Sequence, residues 1–425
     1  MFSRLAALAA LVVVPALAPP AHAVDRLTLD DAFARVASVH PDLRLTPLRG
    51  QALSAELDTA LQRPPLRAGV EIENAFGSGG YAALDGAELT LSLASVLERG
   101  GKREVRRAMA QSRIDALALE RETARLDLLA EVARRYLAVA AAQRQRELAD
   151  ADIVQRRRTV AAARQRLDAG ASPESVWLAA QAALARAELD RRRAEQSAVA
   201  ARQHLAALWG QREPDFELAT VDLLDLPHIA DFDVLAATLE RTPELLRFAD
   251  QRRIGEARLQ LARTQSHADV DWQFGVRALR ESDDVALVAG ASLPLGQARR
   301  ARPEIRAAEA ELAVLEVERE ARGMSLYSTL VEAHGRYRVA QMEVVRLGED
   351  VLPRLARAEA AAERAYRAGA ISYLEWAQLQ SERSALARQQ LDTALEARRA
   401  LIEIQRLTGE ALVQPAGATQ PGVSP

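Results

Sequence analysis

A short phrase in the middle of the chain, Arg166-Leu-Asp-Ala-Gly170-Ala-Ser-Pro-Glu-Ser-Val-Trp177, returns near its end as Tyr366-Arg-Ala-Gly369-Ala-Ile-Ser-Tyr-Leu-Glu-Trp376. In each copy an Ala-Gly-Ala turn is followed by a Trp seven residues after the Gly. In each copy 40 residues separate that Gly from the Gly of a closing Leu-X-Gly, Leu208-Trp-Gly210 and Leu407-Thr-Gly409. The phrase is therefore the bend between a helix coming in and an Ala/Arg/Leu-rich helix going back. Thr242-Pro243-Glu-Leu245 answers His40-Pro41-Asp-Leu43, Val270-Asp-Trp-Gln273 answers Val70-Glu-Ile-Glu73, and Glu304-Ile-Arg306 answers Glu104-Val-Arg106. The offset drifts only from 202 through 200 to 199. A register kept that long is a duplicated architecture. It predicts a first unit over 24–210, a linker over 211–228, a second unit over 229–409, and a Pro- and Gly-rich disordered tail over 410–425.

Changes of period give the parts of each unit. Thr28 can cap a first helix that has Asp30 and Asp31 in its opening turn and Ala32, Phe33 and Val36 at helical spacing. His40-Pro41 interrupts, a second helix runs from about 43 to 61, and Pro64-Pro65 stops it. Over about 67–96 the period becomes two: Val70, Ile72 and Phe76 alternate with Glu71 and Glu73, then Leu89, Leu91 and Leu93 with Thr90, Ser92 and Ala94. That is a β-hairpin, repeated over about 269–295 with Val270, Trp272, Phe274 and Val276 against Asp271, Gln273 and Arg277. Long helices follow over about 101–168 and 300–367, and return helices over about 173–208 and 371–408. At 1.5 Å per residue the first long helix is a rod of roughly 100 Å. Its apolar residues recur every seven positions at Val132, Val139, Ile153, Val160 and Leu167, Arg146 excepted, so it needs helices wrapped beside it. The fold class is mainly α with a small β part: duplicated long antiparallel helical hairpins and two β-hairpins.

Composition narrows the setting. The chain is 49% hydrophobic but only 4% aromatic, which suits long Ala/Leu helices. Its 56 basic and 59 acidic residues are interspersed, so no basic face for nucleic acid stands out. There is no cysteine, which excludes disulfides, thiolate sites and a lipid-carrying cysteine. Met1 to Arg4, the apolar run Leu5 to Leu17 and the small-X-small site Ala21-His22-Ala23 read as a signal peptide over 1–23. Beyond it no run of about 18 apolar residues occurs, so any membrane crossing must use strands.

A lone hairpin is marginal in water. In lipid, strands persist only as a closed barrel, and four strands are too few to enclose a lumen. Several chains would have to share one barrel, with apolar faces on lipid and Glu71, Glu73, Asp271 and Arg277 facing a wet lumen. On pattern alone, a small soluble sheet packed on the helices fits equally well.

His40-Pro41-Asp42-Leu43, Ser292-Leu-Pro-Leu295, Val351-Leu-Pro353 and the two turns, above all Tyr366-Arg-Ala-Gly369, carry a resemblance across the mature chain to the TolC family of outer-membrane efflux proteins. Gly100-Gly101-Lys102-Arg103 resembles the cation-efflux, CzcC-like branch. The resemblance implies a homotrimer with a twelve-strand barrel in the outer membrane of a Gram-negative bacterium and a periplasmic helical tunnel. It also implies two partners, a periplasmic adaptor and an inner-membrane transporter of the proton-driven resistance-nodulation-division type. Gly170, Ala171 and Ser172, with Gly369, Ala370 and Ile371, match the tips that meet the adaptor. A purely geometric role for the two glycines fits too. Glu375 matches an acidic position at the tunnel mouth, where three copies would form a carboxylate ring; a solvated surface Glu is the plainer alternative. The family's second acidic position is Gln378 here, which weakens the ring. Trp177 and Trp376 fit packing between helices near each tip, and Trp272 fits a lipid-interface belt.

Outside the signal the histidines are His40, His204, His228, His267 and His334, with no pair at ligand spacing and no nucleophile or phosphate-loop motif. The reading is a non-enzymatic, passive exit duct with no cofactor and no resident metal site, its cargo divalent heavy-metal cations. Type I protein secretion or drug efflux is the alternative use of such a duct. A periplasmic adaptor or a structural coiled coil is the reading from another class.

Overall fold

The computed structural model describes residues 26–410. The expected signal peptide and the tail from 411 lie outside the described residues. The first unit comprises β1 (Arg26–Leu27), α1 (Leu29–Val39), α2 (Pro41–Leu61), β2 (Arg67–Glu73), β3 (Glu88–Leu97), α3 (Lys102–Asp168) and α4 (Glu174–Ala206). After β4 (Glu217–Leu218) and α5 (Phe232–Thr238), the second comprises α6 (Pro243–Thr264), β5 (Val270–Leu279), β6 (Asp284–Ser292), α7 (Gln297–Arg346), α8 (Leu352–Arg367) and α9 (Tyr373–Thr408). The protein is mainly helical, as its periodicity predicts.

Helix starts follow local chemistry. Thr28 and Asp31 form a capping box at α1, with Asp31 N–H donating to Thr28 Oγ1 at 3.1 Å and Thr28 N–H to Asp31 Oδ2 at 3.0 Å. Pro41 opens α2, where its missing N–H costs nothing. The 67 residues of α3 run unbroken, and Val132, Val139 and Ile153 of its seven-residue series are buried. Ala140, Ala141 and Ala142 are buried as well, which lets neighbouring helices approach closely.

Three expectations need correcting. The alternation of the first hairpin ends at Glu73: Asn74 and Phe76 take positive φ (55° and 60°), so Phe76 belongs to the turn and not to the strand. The second long helix, expected to be continuous over about 300–367, contains a π-turn at Leu347–Val351 between α7 and α8. Pro353 has no N–H to continue the ladder, and Gln390 of α9 donates its side-chain amide to Val344 O at 3.0 Å beside the wider turn. Gly348 makes room there, since a Cβ on it would lie 2.6 Å from Gln390 Nε2. The expected linker is also a packed segment. Its β4 pairs in parallel with β1, and Phe216, Leu218 and Leu223 join Leu27, Val36, Val132, Tyr136 and Val139 in one core cluster. Tyr136 Oη of α3 donates to Leu27 O of β1 at 3.1 Å, and Tyr337 Oη of α7 donates to Pro227 O, so one buried Tyr holds β1 and another holds the connecting segment.

The long helices pack side by side. Near the sheet α3 lies between α2 and α6, and α6 packs on α7; toward the bends α3 lies between α4 and α9, and α9 packs on α8. An ionic hub ties the copies together where these halves meet. Arg406 of α9 reaches Glu244 of α6 at 2.7 Å and Asp127 of α3 at 3.1 Å, and Arg322 of α7 also pairs with Glu244.

Candidate functional site

The two hairpins join into one antiparallel sheet, ordered β2-β3-β5-β6, through the β3–β5 pairing between copies. Directly paired residues share a face, so Glu71↔Thr90↔Arg277 and Glu73↔Glu88 place Glu71, Glu73 and Arg277 together, with Asp271 on the same face by alternation. Arg277 is the centre of that face: its guanidinium meets Glu73 and Glu88 at 2.7 Å each and donates to Thr90 Oγ1 at 2.9 Å. Asn74 donates to the other Glu88 oxygen at 2.9 Å. Thr90 is one of the polar positions of the β3 alternation, but only the cross-copy register shows that it and Glu88 hold Arg277. Glu71 and Asp271 form no ion pair among the described residues. The opposite face is apolar and bare: Val70 is 69% exposed, Phe274 60%, Val285 70% and Leu287 88%. Trp272 lies on this face, its ring 5.6 Å from that of Phe274.

At the junction of sheet and helices, Gly100 and Gly101 both have positive φ (76° and 72°). A Cβ on Gly100 would lie 2.8 Å from the His267 ring. Lys102 is 6% exposed, and its ammonium sits 2.7 Å from Asp269, whose other oxygen accepts from Arg99 N–H at 2.9 Å. The Gly-Gly-Lys-Arg stretch is thus a joint that fixes the exit of β3 against the start of β5. Among the described residues no group of three or more His, Asp or Glu is placed to hold a metal ion, and no helix is long and apolar enough to cross a membrane.

At the far end, each bend closes as a Schellman turn. Ala171 N–H reaches back to Arg166 O at 2.8 Å and Gly170 N–H to Leu167 O at 2.9 Å; Ala370 N–H reaches Ala365 O at 2.9 Å and Gly369 N–H reaches Tyr366 O at 3.0 Å. Both glycines take the left-handed conformation this turn requires (φ 69° and 80°). Gly170, Ala171, Gly369 and Ala370 are exposed, whereas Ser172 and Ile371 are half-buried. Arg166 clasps the two bends, donating to Tyr366 O at 2.6 Å and Ala171 O at 3.2 Å while stacking 5.0 Å over the Tyr366 ring. The two tryptophans part ways. Trp376 is fully buried against Tyr366, while Trp177 is half-buried under Arg164.

Glu375 is exposed, and its carboxylate accepts from the N–H and the hydroxyl of Ser372, both at 2.8 Å. The backbone N–H bond and then the hydroxyl bond hold it below the usual carboxylate range. Its first role is therefore the capping box that starts α9. Nothing in that role uses up its charge.

The flanks of the helical layer are unfinished. On α7 an exposed apolar series recurs every seven residues at Val317 (65% exposed), Met324 (64%), Val331 (46%) and Val345 (48%), with Arg338 interrupting. On the opposite flank α2 buries no residue at all, with Leu45 and Leu48 exposed.

Residues 33–211 match the outer membrane efflux protein family. The chain is 27% identical over 279 residues to the cobalt-zinc-cadmium resistance protein CzcC of Cupriavidus metallidurans, covering 66% of this chain and 67% of that one. Among solved structures it is similar to the outer-membrane channel OprN (TM-score 0.75, 21% identity, 90% of each chain) and to CusC (TM-score 0.76, 16% identity, 91% of this chain and 93% of that one). It is likewise similar to the open state of the MtrE outer membrane channel of Neisseria gonorrhoeae (TM-score 0.71, 16% identity, 90% and 89%).

Proposed function

From the match of residues 33–211 to the outer membrane efflux protein family we propose that the chain is such a protein and that three copies close into a passive exit duct for divalent heavy-metal cations. The observation that carries this reading is the sheet. It is apolar and exposed on one face and polar on the other, and its outer strands β2 and β6 lack a second neighbour. Unpaired strand edges cannot persist in hydrocarbon. Pairing β6 of one copy with β2 of the next removes every edge at twelve strands for three copies. The same rotation brings the bare α7 series of one copy onto α2 of its neighbour, as a seven-residue apolar series requires. The helical layer then continues the barrel as a periplasmic tunnel.

In this assembly Glu71, Glu73, Asp271 and Arg277 line the barrel lumen, and Glu375 repeats three times near the tunnel mouth. The bends, exposed at Gly170, Ala171, Gly369 and Ala370 and half-buried at Ser172 and Ile371, offer the docking surface for a periplasmic adaptor, which links the duct to an energised inner-membrane transporter. The cation cargo is supported by the likeness to a protein named for cobalt, zinc and cadmium resistance. A conduit for metal needs no tight site, since tight binding would slow release.

Two measurements test the reading. The mature protein extracted in mild detergent should have the mass of three chains, and a water-soluble monomer would overturn the assembly. A strain lacking the gene should become more sensitive to zinc, cobalt or cadmium; unchanged tolerance to all three would remove the metal cargo and leave secretion or drug efflux.

A further inference from the structure

Away from the sheet and the bends, a cleft of about 270 Å³ opens among α3, α4 and α9, with Glu359 of α8 in its lining. Leu148 and Ala187 contribute apolar wall, and Asp152, Gln380 and Ser384 contribute polar atoms. Its size falls just below the ordinary small-molecule range of roughly 300–1,000 Å³, so it suits a compact ligand.

The polar groups are not equally satisfied. Gln380 is 1% exposed and both ends of its amide are engaged, Nε2 donating to Thr159 Oγ1 at 2.8 Å and Oε1 accepting from Thr159 and Arg156. Asp152 accepts from Ser384 Oγ at 2.7 Å and meets Arg156 at 3.3 Å. Glu359 differs. Its side chain is 3% exposed, one oxygen is held by Arg383, and the other is buried with no hydrogen-bond partner. A carboxylate oxygen shut away from water without a donor is costly. Any hydrogen-bond donor would relieve it, and an N–H group carrying positive charge makes the stronger bond. No third carboxylate or histidine converges to make a metal site among the described residues, so an inorganic cation would lack its ligand set.

We propose that this cleft binds a small organic monocation, an amidinium or primary ammonium on an apolar body, with its N–H groups on Glu359 and its apolar part against Leu148 and Ala187. The residues lining the site all belong to one chain.

The test is calorimetric titration of benzamidine into the full-length protein in detergent. Saturable binding is expected, with neutral benzamide binding at least about tenfold weaker, because the charge-assisted hydrogen bond is lost. Glu359→Gln should weaken benzamidine by about tenfold or more. Ala387→Phe, which fills the cleft from another wall residue and leaves Glu359 intact, should abolish binding. Thermal melts establish that both variants fold; if Glu359→Gln does not, the benzamide comparison and Ala387→Phe decide. No saturation by about 10 mM, equal binding of benzamide, or full binding by Ala387→Phe overturns the proposal. So does zinc chloride binding that depends on Glu359 where benzamidine binds not at all.

Discussion

Replacing Arg166 by Ala should loosen the bends without unfolding the long helices. The guanidinium makes two hydrogen bonds across the bends, to Tyr366 O and Ala171 O, and covers the Tyr366 ring at 5.0 Å. Hydrogen bonds to a charged group contribute about 1.5–3 kcal/mol each when buried. Arg166 is only half-buried, so about 1 kcal/mol each is the appropriate scale after solvent screening. The ring contact adds about 0.5–1 kcal/mol. Against this, the buried Arg166 Nε has no partner, and removing it relieves a small cost. The net is about 2 kcal/mol of local stability, or roughly a thirtyfold change in the local opening equilibrium. Hydrogen exchange of the Gly369 and Ala370 amides reads this directly, since both close the second bend. They should exchange about thirtyfold faster in Arg166→Ala and by an intermediate factor in Arg166→Lys, which keeps the charge but loses the planar fork. Amides around Val139, deep in the core, should not change. A change below about threefold at the bends would refute the clasp and leave each Schellman turn self-sufficient.

Three further predictions follow from other parts of the molecule. Arg277→Gln leaves Glu73 and Glu88 without their cation. With three lost charges about 10 Å from a permeating ion in screened water, the gain is about 0.4 kcal/mol for a monovalent and twice that for a divalent cation. Planar-bilayer reversal potentials should then show cation preference rising about twofold and about fourfold, and an unchanged ratio would place Arg277 outside the ion path. Burial pushes the Glu244 carboxyl up, but hydrogen bonds from Arg406 and Arg322 outweigh it and hold it below its ordinary 4.5. Its stabilising contribution is therefore complete above pH 4.5 and fades as pH falls through the lower folded value. Glu244→Gln should cost about 3 kcal/mol at pH 7, with melting curves converging on the parent as pH falls through that lower value; a constant gap would deny the linkage. Finally, Gly369→Ala should cost about 1–2 kcal/mol of local stability, because φ is 80° and the added Cβ lies 3.3 Å from Arg166. Unaltered exchange at Ala370 would contradict it.

What the sequence made legible was whatever repeats or has a period. The two bends, the alternation of β3 and β5 and the seven-residue series of α3 are local patterns, and they reappear as helices and strands. What it hid depends on partners far along the chain. The sheet is continuous only because β3 meets β5, about 180 residues away. Strands as short as β1 and β4 have no period to detect, so a packed segment read as a linker. The π-turn needed both Pro353 and a side chain from α9. Among the candidate site residues, Glu71, Glu73, Asp271 and Arg277 could be placed on one face by counting, yet Arg277's partner Glu88 could not be chosen from spacing. Arg166 and Tyr366 each sat in a quoted phrase, but nothing local joined them. Glu359 carried no signal at all; only its burial singles it out.

The joint between sheet and helices has a chemical consequence of its own. Lys102 is the chain's only lysine, and it is buried against Asp269. The surface of the described residues therefore presents no ε-amine to amine-directed labels or crosslinkers. With no cysteine either, any thiol introduced at a bend or a strand edge will be the sole reactive handle, so each attached probe reports from a single known place.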